Sequence, residues 1–137
     1  LKPVIRLNTT SDIMWENHKI MELFPKTQFY DYSKHFKRML KYLKGDMPKN
    51  YHLTFSRNEA NDFQSTQVLK AGGNVAVVFR KELPETYKGF KVVSGDDHDL
   101  RFLDEANVVV GLKEKLSLNK ATGKLDRDKS GFVVDLK

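Results

Sequence analysis

The segment YHLTFSRNEANDFQSTQVLKAGGNVAVVF, residues 51–79, decides the fold of this chain. It opens on an apolar, partly aromatic run, His52-Leu53-Thr54-Phe55, that reads as a strand. A polar turn, Ser56-Arg57-Asn58-Glu59, follows it. From about Glu59 to Ala71 the pattern is helical and would bury Ala60, Phe63 and Val68. Gly72-Gly73 stops the helix, and Val75-Ala76-Val77-Val78-Phe79 is too continuously apolar to leave a face in water. Strand, helix and buried strand make a βαβ unit, with parallel strands and a right-handed crossover.

The unit repeats outward in both directions. Val4-Ile5-Arg6-Leu7 and Gln28-Phe29-Tyr30 read as earlier strands and Asn107-Val108-Val109-Val110 as a later one. Phe90-Lys91-Val92-Val93 is a weaker candidate, and Gly131-Phe132-Val133-Val134 suits a final edge strand. A helix is expected from Thr10 or Ser11 through Phe24, burying Ile13, Met14, Ile20, Met21 and Phe24, and stopped by Pro25. The next shows Phe36, Met39, Leu40 and Leu43 at helical spacing, turns Lys37, Arg38, Lys41 and Lys44 outward, and ends at Gly45.

Asn8, Tyr32 and Ser56 stand at successive strand ends 24 residues apart, and Phe79 follows 23 later. Equal sequential units favour strand order 1-2-3-4. The expected fold is α/β: a parallel sheet of five to six strands from repeated βα units, a partial (half) TIM-like barrel. A doubly wound sheet with a reversal is the alternative. Residues 1–112 form the βα-repeat domain and 113–137 a basic C-terminal segment. A closed barrel needs eight units, so the sheet is open, or its missing strands come from an N-terminal half or a second copy.

With 137 residues, 39% of them hydrophobic and 31% charged, the chain can bury a core without staples. It has no cysteine, which removes disulfides, thiolate metal sites and cysteine nucleophiles, and suits a cytoplasmic setting. No apolar run is long enough to span a membrane, and no leader-like stretch opens the sequence, so a membrane is not an expected partner. The chain starts directly before a strand without Met, which suggests a fragment or processed product. The net charge of +6 is concentrated in Lys34–Lys44 and Lys113–Lys129; such faces attract polyanions, though most are simply solvated.

Ligands of parallel α/β folds sit beyond the carboxyl ends of the strands. That rim carries Asn8-Thr9-Thr10-Ser11-Asp12, Asp31-Tyr32-Ser33-Lys34, Ser56-Arg57-Asn58-Glu59 and Arg80-Lys81, then Ser94-Gly95-Asp96-Asp97-His98-Asp99. Ser11, Ser33 and Asn58 suit helix caps, whereas Asp12, Asp31, Arg57 and Glu59 need charged partners near a sheet end. The acidic run Asp96 to Asp99 reads as a solvated turn pairing with Arg101 rather than as a metal shell, because adjacent acids diverge.

Asp126 to Gly131 opens like a calcium loop but places Lys137 where the bidentate Glu belongs. Gly72-Gly73-Asn74 precedes a strand, so it is no phosphate loop. Neither a nucleophile elbow nor a Walker, zincin or dinucleotide motif is present. His18, His35 and His52 are scattered, as incidental histidines are.

Several of these segments together resemble the C-terminal half of the phage gene-product-88-like family. They are Ile5–Ile13 with Trp15-Glu16, Phe29–Lys34, Tyr51–Glu59, Ala71–Phe79, Asp99–Asp104, Val108–Leu112 and Ser130–Val134. The resemblance implies a phage- or prophage-encoded protein in the host cytoplasm, without a settled activity. Longer members carry an upstream cysteine cluster reminiscent of radical S-adenosylmethionine enzymes, so this chain corresponds to the cysteine-free half and can hold no iron–sulfur cluster itself. By position, Asn8, Asp12, Asp31, Tyr32, Ser56, Arg57 and Glu59 are the candidate cofactor-binding residues, and S-adenosylmethionine is the candidate cofactor.

Two functions follow as expectations. The first is a small-molecule-binding half-barrel with its site at the strand ends. The second is a basic accessory protein that binds nucleic acid or a host protein through the Lys34–Lys44 face.

Overall fold

The structure is a computed structural model. It describes residues 2–115, 117, 118, 123, 125, 126, 129, 130 and 131–136. Much of the basic Lys113–Lys129 segment, and residues 127, 128 and 137 of the tail compared with a calcium loop, lie outside the described residues.

In chain order the strands are β1 (Val4–Arg6), β2 (Gln28–Ser33), β3 (Tyr51–Ser56), β4 (Val75–Phe79), β5 (Thr86–Tyr87), β6 (Phe90–Ser94), β7 (Val109–Lys113), β8 (Ser117–Leu118), β9 (Leu125–Asp126) and β10 (Val133–Val134). The helices are α1 (Ile20–Leu23), α2 (Phe36–Leu43) and α3 (Asp62–Lys70), with 3-10 turns at Trp15–His18 and Arg101–Leu103. Eight strands form one mixed α/β sheet in the order β1-β2-β3-β4-β7-β6-β5, with β10 beside β4, while β8 and β9 pair separately. Only β5–β6 is antiparallel within that sheet.

The first four strands follow the sequential order that the repeat predicts. After β4 the path skips one place to β6 and returns to fill it with β7, so the sheet reverses. The sheet is not closed into a barrel.

Strand side chains alternate between two faces. Phe29, Tyr51, Leu53, Phe55, Val75, Val77, Phe79 and Val109 point to the face covered by the helices and pack with Met21, Met39, Val68 and Leu69. Ala76, Val108 and Val110 point to the other face, with Tyr32, Val93 and Leu112. That face is partly covered by the connection from β6 to β7, whose Phe102 ring lies 5.6 Å from Tyr30.

Two local expectations are corrected, and the place of the last strand is made specific. The helix from Thr10 or Ser11 to Phe24 does not form: a 3-10 turn, a left-handed Lys19 (φ 55°) and one α turn replace it. Its cause is the Asn8 side chain, whose Oδ1 accepts from Ser11 Oγ, Ile13 N and Trp15 Nε1 at 2.9, 3.1 and 3.0 Å. Side-chain bonds of this kind hold backbone away from a helix. Ser11 therefore caps nothing, and Ile13, Met14 and Phe24 are exposed.

The third helix starts later than expected, at Asp62, and is rotated so that its buried stripe is Ser65, Val68 and Leu69. Ala60 is exposed, and Phe63 is 76% exposed. Gly72 (φ +96°) ends this helix in the backbone region that a glycine stop requires.

Among the described residues β10 pairs with β4 alone, so it keeps one unpaired side as an edge strand does, but it sits beside β4 rather than at either end of the sheet. β7 occupies all of one side of β4, whereas β3 pairs with β4 only through Phe55↔Val75 and Ser56↔Ala76. β10 takes over the same side further on, with Val133↔Val78 and Val134↔Phe79. The two strands thus share one edge of β4, and β3 diverges where β10 begins.

Phe55→Ala, which empties a fully buried ring site, should destabilise the fold by about 3–5 kcal/mol in urea unfolding. Phe63→Ala should stay within about 0.5 kcal/mol, and a large loss there would contradict the observed helix rotation.

Candidate functional site

The divergence of β3 from β4 leaves a groove of about 740 Å³ on the helix-free face, at the carboxyl end of the strands. Its floor includes Tyr32, Ala76, Val78 and Leu112, side chains that the strand alternation aims to this face. One wall is Arg6 with the loop Asn8–Asp12, and the other is Gly95, Asp96, His98 and Asp99. Ser33, Lys34, Ser56, Arg57, Lys115 and Phe132 complete it.

The first wall is built on Asn8, which is 2% exposed. Beyond the three donors to Oδ1, its Nδ2 donates to Ile13 O and Asp31 Oδ2, and its backbone N donates to Asp31 Oδ1 at 2.7 Å. Asp31 also accepts from the Tyr51 hydroxyl at 2.7 Å. Arg38 Nη2 in turn donates to the Tyr51 oxygen.

The remaining Arg38 donors grip Glu16 in a fork, with Nε–Oε2 and Nη2–Oε1 both 3.0 Å, and reach Asp12 Oδ1 at 3.0 Å. Asp12 further accepts from Ser33 Oγ and from the backbone N of Lys34 at 2.8 Å each. Burial pushes the Asp31 carboxyl above its ordinary range, partly countered by the Asn8 and Tyr51 hydrogen bonds. Burial also raises the Tyr51 phenol, reinforced by the Asp31 charge beside it.

The second wall is tied to β1 and β2 by Asp99, which takes Arg6 Nη1 at 3.2 Å and the Tyr30 hydroxyl at 2.9 Å. Burial, helped by Asp99, pushes Tyr30 up to about 12. The Arg6 guanidinium lies 4.8 Å from the centre of the Tyr32 ring. His98 Nδ1 accepts from Leu100 N at 3.1 Å, so the neutral ring carries its proton on Nε2.

Arg57 closes the tail side. Its Nε donates to Asp62 at 2.8 Å, and its Nη1 donates to the carbonyls of Gly131 and Phe132 at 2.7 and 2.9 Å. Burial opposes ionisation of Asp62, but the Lys88 and Arg57 hydrogen bonds outweigh it and hold its pKa below the usual carboxylate range.

Of the expected site residues, Asn8, Asp12, Tyr32, Ser56 and Arg57 line this groove. Two do not. Asp31 is fully buried beneath the Asn8 loop, because its place in β2 aims it at the helix face. Glu59 is exposed and does not line the groove; its Cβ lies near Gly131.

Arg38 also departs from expectation. It is 3% exposed rather than solvated, since the Trp15–His18 turn lies over it and supplies Glu16. Arg101 pairs with Asp104 (3.4 Å) and bonds the His98 carbonyl of the turn (2.6 Å) but none of the turn's carboxylates, of which Asp99 binds Arg6 instead. Arg6 and Lys115 were not expected in the site. A charged residue inside the apolar run Val4–Leu7 was a signal for the first, and no pattern marks the second. Among the described residues, no group of three or more His, Asp or Glu side chains converges as a metal-ligand set.

His52 lies on the same face and is not incidental. Burial, with the Arg101 charge in support, lowers its pKa to about 4 from an ordinary 6.5. The folded chain holds the imidazole neutral while the unfolded chain protonates first. The resulting stability is complete above about pH 6.5 and drains away as pH falls towards 4, by about 3 kcal/mol in all. Relative to His52→Phe, the wild-type chain should lose roughly that amount between about pH 7 and pH 4 in urea titrations. Parallel stability curves would show a normally titrating, solvated ring.

No curated protein and no solved structure matches the chain. A family model described as Gene product 88 matches residues 1–136, nearly the whole sequence. In that order-preserving match the loops that build both walls of the groove are included, and the chain belongs to the phage gene product 88 family.

Proposed function

We propose that the groove binds a small molecule with an apolar ring and a polar extension, of the adenosine or S-adenosylmethionine kind, and that the chain is the ligand-binding part of a barrel-like architecture. The observation that carries this reading is the shared edge of β4, which opens a cleft at the carboxyl ends of parallel strands, where such folds bind ligands. Ala76, Val78, Leu112 and Phe132 offer apolar contact for a ring, while Ser56, Thr9, Thr10 and the Asp12 carboxylate offer polar groups at its margin. Were longer family members radical enzymes, as the resemblance implies, the cysteine-free chain would be the half that holds the nucleoside.

A ligand at 100 times its dissociation constant adds about 2.7 kcal/mol of stability. S-adenosylmethionine or adenosine should therefore raise the melting temperature measurably. Val78→Phe, which fills the floor, should abolish the shift, and Lys70→Ala on the exposed end of α3 should keep it. Equal shifts in both variants would move the ligand out of the groove.

A second reading is favoured by α2. Lys37, Lys41 and Lys44 are exposed and have no carboxylate within 4.0 Å among the described residues, although the buried Arg38 is lost from this face. Binding of DNA or RNA there should weaken steeply with salt, and reversing these three charges should remove it. Affinity indifferent to both changes would dismiss this surface.

A further inference from the structure

The groove carries an unbalanced charge pattern, and its meaning rests on the small-molecule reading above. Asp12 is engaged by Arg38 at 3.0 Å and Asp99 by Arg6 at 3.2 Å, while Arg57 is matched by Asp62 at 2.8 Å. Asp96 is held by the backbone N of Lys113 at 2.9 Å. Lys34 and Lys115, both exposed at the rim, have no carboxylate within 4.0 Å among the described residues. Lys34 Nζ rests 5.6 Å from the centre of the Phe132 ring, which leaves its hydrogens for a ligand.

Beneath the wall lies a second, independent feature. Arg101 is 0% exposed, and its Nη1 has no hydrogen-bond partner among the described residues. A Cβ on Gly95 would stand 2.6 Å from that nitrogen, so only glycine lets the guanidinium lie directly under the groove wall. Thr54 Oγ1 and His52 Nδ1 also lack hydrogen-bond partners, and Asp104 Oδ2 has only its ion pair with Arg101 Nε at 3.4 Å. All are carried by the helix-free face of β3 or by the connection that covers it. Buried polar atoms rarely remain unmatched, and a cation in a weakly polarisable setting projects its charge further than one in water.

We propose that the groove recognises an anionic group. Its ligand places an apolar ring on the Ala76–Val78–Leu112 floor and presents a phosphate or carboxylate to Lys34 and Lys115, while Arg101, ion-paired with Asp104, sets its unmatched Nη1 beneath the wall at Gly95. Asp96 at the same rim favours one compact anion over a polyanion, since extended negative charge would meet it.

Calorimetric titration of the full chain with adenosine, adenosine monophosphate and S-adenosylhomocysteine tests this. At about 50 mM salt, one or both of the charged compounds should bind at least roughly tenfold more tightly than adenosine. Preference for the phosphate compound identifies a phosphoryl group, and preference for the homocysteine compound that is lost in Lys34→Ala/Lys115→Ala identifies its carboxylate rather than its ammonium. The advantage should shrink at about 300 mM salt and in Lys34→Ala/Lys115→Ala, and survive in Lys70→Ala. Arg101→Gln/Asp104→Asn, a neutral pair of similar shape, should reduce it too; if that pair does not fold, the lysine variants and the salt series decide. Adenosine binding as tightly as both charged compounds would overturn the anion assignment and leave the groove reading intact. Binding of none of the three would overturn the groove reading itself.

Discussion

A carboxylate with no access to water must be surrounded by donors, and Asp31 imposes that requirement on everything near the first two strands. Its oxygens are met by Asn8 and Tyr51, and Tyr51 is met by Arg38. Arg38 then needs acids of its own and finds them in Glu16 and Asp12. Removing one member of such a chain leaves a buried charge uncompensated, at a cost of about 3–5 kcal/mol. The network therefore fixes the loop after β1, the turn that lies over α2 and one wall of the groove as a single unit. Asp12 belongs to both the network and the groove, so the shape of the site is inherited from the core.

Much of the architecture was legible in residues 51–79, because a β-branched run, a helix and a glycine stop have short-range causes. The sequential order of β1 to β4 followed from equal spacing. The reversal at β6 and β7 did not, since the crossover that produces it is a connection with little regular structure. The helix expected after Asn8 shows a different failure. Its apolar residues have plausible spacing, yet one buried asparagine takes three donors from the segment, and that contact depends on Asp31 in another strand.

The site was legible to the extent that a strand end is. Asn8, Asp12, Tyr32, Ser56 and Arg57 follow apolar runs and line the groove. Asp31 also follows such a run, but β2 extends to Ser33, and that extension settles which face each residue takes. Arg38 reads as one more lysine-like charge on a helix, and nothing local distinguishes it from Lys37. Burial of a charge is decided by what packs over it, which periodicity does not encode.

The divided edge of β4 has a kinetic meaning. Val78 and Phe79 find their neighbours in Val133 and Val134, so the groove is walled on its tail side only after one of the most remote pairings in the chain has closed. Such pairings form slowly, because the intervening chain must be gathered first. Most of the core of helices and odd-numbered strand positions lies outside that pairing, although Val134 packs against it. Two layers of order are thus superimposed on one sheet: a scaffold that can fold early, and a cleft completed late by a strand of two residues. An arginine at the end of β3, gripping the carbonyls of Gly131 and Phe132, latches the second layer to the first.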